Sequence, residues 1–451
     1  NFDGTDFTPP AGRYTNLLST TTGITITDRH GTVEGYHPLD GSANQGRLRS
    51  TSDRNRNTLH LAYDGQGHLQ TVTDTLGRGV SYTYDENGRI TAVTDFSGRV
   101  VAMDYDTNGD LVSIKTPPIA GTSNGNDFPL GKTTVFSYSS GHEDPRLNHN
   151  LIAIIAPNEV ADGSLTPRTI NTYGAEGMSF DRVTHQSWGG GRVNASGIPA
   201  GGDVTVVYTT TIELDAPPGA ASKTIITNRG GNEMELWHDG AGHRLRQRQV
   251  VGGEPLITDY VYNMDGQLAT TVYPEGNQVT YDYDDTAEDR LAQGNLCEMR
   301  RIADPDRGCD GVGSGICPDL VTSYTYTSPY QLVASVTDPN GNIRTNSYDP
   351  GGNLIQVDFP DVTVGPSAPQ SAFQTWTYNS HGQPLTFTDP EGNKTCYAYY
   401  ASGPAEGYRE TVTYDCGGAD LTTRYGYDTL GNVTVITDAR GIRTKYEVNA
   451  L

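Results

Sequence analysis

Leu61–Lys115, LAYDGQGHLQTVTDTLGRGVSYTYDENGRITAVTDFSGRVVAMDYDTNGDLVSIK, repeats itself. Tyr63-Asp64, Tyr84-Asp85 and Tyr105-Asp106 fall 21 residues apart, and Gly67, Gly88 and Gly109 keep the same spacing. Leu69, Ile90 and Leu111 follow, Thr73-Asp74 matches Thr94-Asp95, and Gly77-Arg78 matches Gly98-Arg99. One unit reads Y-D-x-x-G-x-L-x-x-V-T-D-x-x-G-R, and a fixed period of this kind marks a repeat architecture.

Each unit holds two D-x-x-G quartets, such as Asp85–Gly88 and Asp95–Gly98. The Asp side chain can accept from a backbone N–H two residues on, and the Gly tolerates positive φ, so each quartet predicts a tight turn. Between quartets, Val80, Tyr82 and Tyr84 alternate with polar residues, as do Val101, Met103 and Tyr105. That period of two predicts strands with one apolar face. Leu69 and Val72 break the alternation, which predicts a bulge there. Each unit is therefore one β-hairpin step of a growing antiparallel sheet, and each tyrosine ring is expected to pack on the ring one repeat away.

The pattern extends along the chain with interruptions. Residues 1–60 are degenerate lead-in strands and 61–115 are regular repeats. Residues 116–235 are worn repeats with Gly/Pro-rich inserts, and 236–284 resume the pattern around Tyr262 and Tyr283-Asp284. Residues 285–322 form a Cys/Asp-rich insert. Residues 323–451 carry further repeats at Tyr348-Asp349 with Gly352, Tyr378, Tyr399, and Tyr427-Asp428 with Gly431. Asn1 opens in mid-pattern and Leu451 stops in mid-repeat, so the chain is expected to belong to a longer polypeptide.

With 34% hydrophobic residues and a mean hydropathy of -0.54, the chain cannot supply a thick oily core. Its 27 Tyr against 9 Phe and 3 Trp suit a thin sheet wetted on its faces. About fourteen units of two strands make a ribbon on the order of 130 Å long at strand spacing. Closed once, that ribbon makes a ring about 40 Å across, too wide for wall side chains to fill. The expected fold is all-β: repetitive antiparallel hairpins in a curved, hollow sheet.

The formal charge of -23 argues against nucleic acid and anionic membranes as partners. No run approaches a membrane span. Cys309 and Cys317 bracket a Gly-rich loop, and Cys396 and Cys416 bracket Tyr397 to Asp415; disulfides and free thiols are both open for these pairs. Cys297 makes the count odd.

Chemistry is sparse. His238, Asp239 and His243 lie on the repeat register, so structure accounts for them. Asp282, Asp284, Asp285, Glu288 and Asp289 gather before the third insert. Asp304, Asp306 and Asp310 resemble half of a calcium loop without its closing Glu, and are the weak calcium candidates. No G-x-S-x-G elbow or paired-acid motif is present. The chain is read as non-enzymatic, without catalytic or cofactor-binding residues.

The Tyr-Asp dipeptides with downstream Gly-Arg-Ile and Thr-Asp-x-x-Gly-Arg resemble YD repeats, also called Rhs repeats. Tyr138-Ser139-Ser140-Gly141, Leu147–Leu151, Phe180–Val183 and Tyr446–Leu451 resemble bacterial Rhs proteins as well. The resemblance implies a spiralling β-sheet shell, similar to those of insecticidal toxin complexes and teneurins. It also implies a bacterial protein that is secreted or displayed on the cell surface, with a shell that encloses or presents a toxin or surface module. The implied partner is the rest of its own polypeptide, including further repeats and a C-terminal effector. The alternative is a cell-surface adhesion or carbohydrate-binding module whose exposed rings meet glycans or other surface proteins.

Overall fold

The structure, a computed structural model, describes residues 9–121, 127–189, 201–209, 216–304, 317–361 and 371–447. Among these lie 33 strands, from β1 (Thr15–Thr20) to β33 (Arg443–Lys445), with one short α-helix at Pro157–Ala161 and single 3-10 turns at Pro145–Leu147 and Gly177–Ser179. The quoted stretch contains β5 (Thr58–Tyr63) in part, then β6 (Leu69–Thr73), β7 (Gly79–Tyr84), β8 (Ile90–Thr94), β9 (Val100–Tyr105) and β10 (Leu111–Lys115). Every strand pairs antiparallel with its chain neighbours, as β5 with β6, β6 with β7 and β7 with β8. The result is one continuous meander.

The strip has two unlike edges. One carries the turns that follow the tyrosines, and the other carries those that follow Thr-Asp. At the tyrosine edge the register slips: Ala62 faces Thr71 but Tyr63 faces Leu69, leaving Gln70 unpaired. Fourteen hairpins carry such a shift, all at this edge. A bulge bends its strand and adds twist. One bulge per repeat on one edge only makes the strip curl instead of lying flat.

The curl brings the strip back over itself. The turn after β2 (Gly23–Asp28) meets the turn after β23 (Leu320–Thr327), through His30 and Tyr330. The turn after β6 meets the one after β29 (Lys394–Tyr399), through Arg78 and Tyr408. At these two contacts one circuit takes 21 and 23 strands. Its circumference is about 105 Å and its diameter roughly 33 Å at strand spacing. The strip thus closes before all of it is used, and the surplus begins a second circuit instead of widening one ring.

The wall is thin. The chain exposes 26547 Å², whereas a compact protein of its 48.6 kDa exposes roughly 17,000 Å². Strand residues are mostly half-buried on both faces, and Trp237 is the one large side chain among the described residues that is fully buried. One face is lined with hydroxyls: Thr71 faces Ser81 and Ser81 faces Thr94 across strands, and Thr377 and Thr386 bond at 2.8 Å. The segment 285–322, read from sequence as an insert, contributes β22 (Asn295–Ile302), which pairs on both sides. Asn295-Leu-Cys-Glu-Met-Arg-Arg-Ile has no Pro or Gly to stop a strand.

Candidate functional site

The wall is held by three devices that recur, and the candidate site is the seam where one circuit rests on the next. The first device is the turn. Asp64, Asp85 and Asp106 each direct one carboxylate oxygen at the backbone N–H groups two and four residues on, all at 2.9 Å. Gly67, Gly88 and Gly109 donate back to the Asp carbonyls from positive φ. Asp428 repeats this geometry with Leu430 and Asn432, and Asp349 bonds the N–H of Asn353.

The second carboxylate oxygen holds the side chain just past the turn glycine. Asp74, Asp85 and Asp95 clamp Arg78, Arg89 and Arg99 through Nε at 2.7 Å, and Asp349 clamps Asn353 at 3.0 Å. For Asp95, burial opposes ionisation, but bonds from Ser97, Arg99 and two backbone N–H groups outweigh it, and the carboxyl is held down at about 2. For Asp85 the backbone bond from Arg89 leads, and the carboxyl again lies below its ordinary value. The sequence reading noted the Gly-Arg pair as part of the repeat but gave the residue no role. Its signal was present: Arg, Asn or His recurs directly after the turn glycine, at His68, Arg78, Arg89, Arg99, His243, Asn353 and Asn432.

The third device is the tyrosine. Tyr84 Oη donates to the carbonyl of Leu69 at 2.7 Å, and Leu69 is the residue that faces Tyr63 across the bulge. Tyr63, Tyr105, Tyr283, Tyr348 and Tyr427 reach back the same way, to Leu48, Ile90, Leu268, Val333 and Arg409. The β6–β7 ladder ends at Thr71 and Ser81, so the phenol supplies a partner to a carbonyl the ladder leaves out. Ring-on-ring packing occurs at Tyr427, which stacks on Tyr408 at 5.1 Å and meets Tyr400 edge-on at 6.1 Å, but at the regular repeats another contact takes its place. His68 stacks on Tyr84 at 4.8 Å, His243 on Tyr262 at 4.8 Å, and the Arg89 guanidinium lies 4.8 Å from the Tyr105 ring centre. Tyrosines two strands apart are about 9.6 Å apart, beyond the reach of aromatic pairs, and the clamped residue fills the gap.

The seam joins the Thr-Asp edge of the first circuit to the tyrosine edge of the second. Tyr14 Oη donates to Asp265 at 2.8 Å, with Arg290 and Arg29 at 4.7 and 5.1 Å from its ring centre. Asn55 and Asn353 exchange two bonds of 3.0 Å. Asn57 donates to the His381 carbonyl at 3.0 Å, and Arg78 donates to Tyr408 Oη at 3.0 Å. A cavity of about 390 Å³ opens on the seam between Leu76, Phe96, Pro404 and Thr429. Among the described residues the seam's hydrogen bonds come from side chains, with no strand ladder across it.

The remaining sequence candidates fall as follows. His243 is held by Asp239 at 2.9 Å, and His238 pairs in register with Arg244. Asp284 accepts from the Thr286 and Ala287 backbone, while Asp282 faces Glu298 across strands. Among the described residues no group of three His, Cys, Asp or Glu side chains is placed to hold a metal. Asp304 is described, whereas Asp306, Asp310 and Cys309 lie outside the described residues. Cys396 and Cys416 form a disulfide, Cys317 is disulfide-bonded, and Cys297 is a free thiol that burial pushes up.

The RHS repeat family profile matches residues 63–100 and 84–117, the stretch first quoted. No curated protein matches the chain by sequence. Among solved structures, the crystal structure of TcdB2-TccC3-Cdc42 is similar with a TM-score of 0.54 and 14% identity, over 92% of this chain and 22% of that one. TcdB2-TccC3 without its hypervariable C-terminal region gives 0.53 and 14%, over 94% and 22%. The Photorhabdus luminescens Tc holotoxin pore, carrying a TccC3 mutation, gives the same four values. This chain thus spans 22% of the length of these structures, and at such identity the likeness is one of fold. No helix among the described residues is long and apolar enough to cross a membrane.

Proposed function

We propose that this chain, whose residues 63–117 match the RHS repeat profile, is a segment of a container wall that encloses a polypeptide cargo, in the manner of a secreted bacterial toxin shell. The observation that carries the reading is the seam. A strip that only displayed a surface has no need to return upon itself, whereas a container must close every circuit on the one before. Large exposed area and half-buried faces suit a wall with solvent on both sides. The work of such a wall is geometric and asks for no chemistry from its own residues. The glycan-binding alternative rested on exposed Tyr and Trp rows, but the repeat rings of Tyr84 and Tyr105 are covered by His68 and Arg89, and their hydroxyls are bonded to backbone.

Small-angle scattering of the purified chain tests the wall, and protease challenge of a passenger polypeptide fused after Leu451 tests the enclosure. A hollow particle with a protected passenger is the expected pair of results. A filled particle overturns the wall, and a hollow one whose passenger is digested at the free-chain rate overturns enclosure.

A further inference from the structure

Each seam contact counts the strands in one circuit, and the count rises along the chain. Tyr14, in the turn before β1, meets Asp265 before β20 (Leu268–Val272) and Arg290 before β22, 19 and 21 strands on. His30, before β3 (Val33–Tyr36), meets Tyr330 before β24 (Leu332–Thr337), 21 strands on. Asn55, before β5, meets Asn353 before β26 (Leu354–Asp358), again 21 strands on. Asn57, in the same turn, meets His381 before β28 (Pro384–Thr388), 23 strands on. Arg78, before β7, meets Tyr408 before β30 (Arg409–Tyr414), also 23 strands on. Phe96, before β9, shares the seam cavity with Thr429 before β32 (Val433–Thr437), at the same count. We infer that the wall widens along the chain, so that this segment is a tapered end of the container, narrower at its first circuit than at its second.

A tube of constant bore holds the same number of strands in every circuit, so its seam keeps one count throughout. Here, between Tyr14 and Phe96, the first circuit advances by eight strands. Over the same arc the second advances by ten from Arg290, or twelve from Asp265. Ladder spacing is fixed by the backbone hydrogen bond, so additional strands are additional circumference. Two more strands add about 10 Å to the circuit and about 3 Å to its diameter. The slip is visible inside a single turn. The turn at Asp53 straddles two second-circuit turns, with Asn55 on Asn353 and Asn57 on His381.

The taper gives the container a direction. At 21 strands the bore is about 32 Å between backbones, and about 22 Å once side chains line it. A folded domain of about 100 residues, with a radius of gyration of about 13 Å, does not fit there. Room for cargo therefore lies on the side of the later circuits. The inference rests on the wall reading above, and the experiment separates the two.

Cross-linking of cysteine pairs with a short bismaleimide, in the purified 451-residue chain carrying Cys297→Ser, reads the count at two levels. His30→Cys with Tyr330→Cys reports 21 strands, and Leu76→Cys with Glu406→Cys reports 23, both across the seam. The pairs shifted by one repeat are His30→Cys with Asn353→Cys and Leu76→Cys with His381→Cys. Each in-register pair should cross-link about tenfold more than its shifted pair, because one repeat displaces the partner by about 9.6 Å along the edge. Circular dichroism confirms the strand signal of each variant, and Asn55→Cys with Asn353→Cys reads the 21 count if a His30 variant loses it. A single count at both levels, with Leu76 preferring His381 or His30 preferring Asn353, overturns the taper and leaves the closed wall standing. Absence of every cross-link in folded variants shows that the circuits do not touch, and overturns the wall and the taper together.

Discussion

The side-chain amides of Asn55 and Asn353, 298 residues apart, bond each other in both directions at 3.0 Å. Asn55 sits in a turn of the first circuit and Asn353 in a turn of the second, so this pair reports whether the circuits touch. In a double-mutant cycle with Asn55→Ala and Asn353→Ala, the two bonds should couple by about 1 kcal/mol in denaturant unfolding. Strictly additive effects would show that the circuits are apart in solution.

Two glycines separate local strain from seam packing. Gly98 turns at φ 87° with open space around it, so Gly98→Ala meets only the left-handed penalty, about 1 kcal/mol. Gly294 has φ 70°, and a Cβ there would run into the Tyr14 ring. Gly294→Ala should therefore cost clearly more, and it should expose the segment around Tyr14 to protease. Equal losses in thermal unfolding would contradict the packing of Tyr14 against the second circuit.

Acid should loosen the turns late. Asp95 lies at about 2 when folded, against about 3.9 in an unfolded chain. A carboxyl lowered on folding contributes stability that is present above the unfolded value and is lost as pH falls through the folded one. The window for Asp95 runs from about pH 4 down to about pH 2. Asp95→Asn should lower neutral-pH stability by about 1 kcal/mol, discounted for solvent screening, and flatten part of the acid slope. An unchanged slope in acid titration would mean that the clamp at Arg99 does not form.

Alkali should act on the tyrosines. Burial, together with the bond to Asp265, raises Tyr14 to about 12, and the bond to Glu34 with burial raises Tyr36 to about 12. A phenol raised on folding stabilises below its unfolded value and loses that contribution as pH climbs through the folded one, here from about 10 to about 12. Ultraviolet titration should show late tyrosinate formation. Tyr14→Phe should remove one late group and weaken the seam.

Reduction should be felt at one end of the strip. Cys396 and Cys416 close a separation of 20 residues, which by loop-closure entropy contributes about 3 kcal/mol. Replacing both by Ser should lower the melting temperature, with faster proteolysis between β30 (Arg409–Tyr414) and β31 (Leu421–Tyr427). No change under reducing conditions would indicate that this end unfolds before the rest.

How much of this was legible depends on range. Asp85–Gly88 reads as a turn because its bonds span four residues, and the bulge at Gln70 reads from the broken alternation of Leu69 and Val72. The clamp at Arg89 was legible too, since it lies directly after Gly88. The target of the Tyr84 hydroxyl was not, because Leu69 lies across a strand pair and becomes its partner only once the bulge ends the ladder.

The sequence by itself determined the hairpin, its turns, its alternating faces and its repetition, because each is decided within about 21 residues by contacts that a local pattern encodes. Only the tertiary structure decided how tightly the strip curls, how many strands a circuit takes, and that Asn55 meets Asn353. Curvature sums small bends over many bulges, so a slight change in each moves the meeting point by whole strands. Nothing in one turn marks which distant turn it will touch.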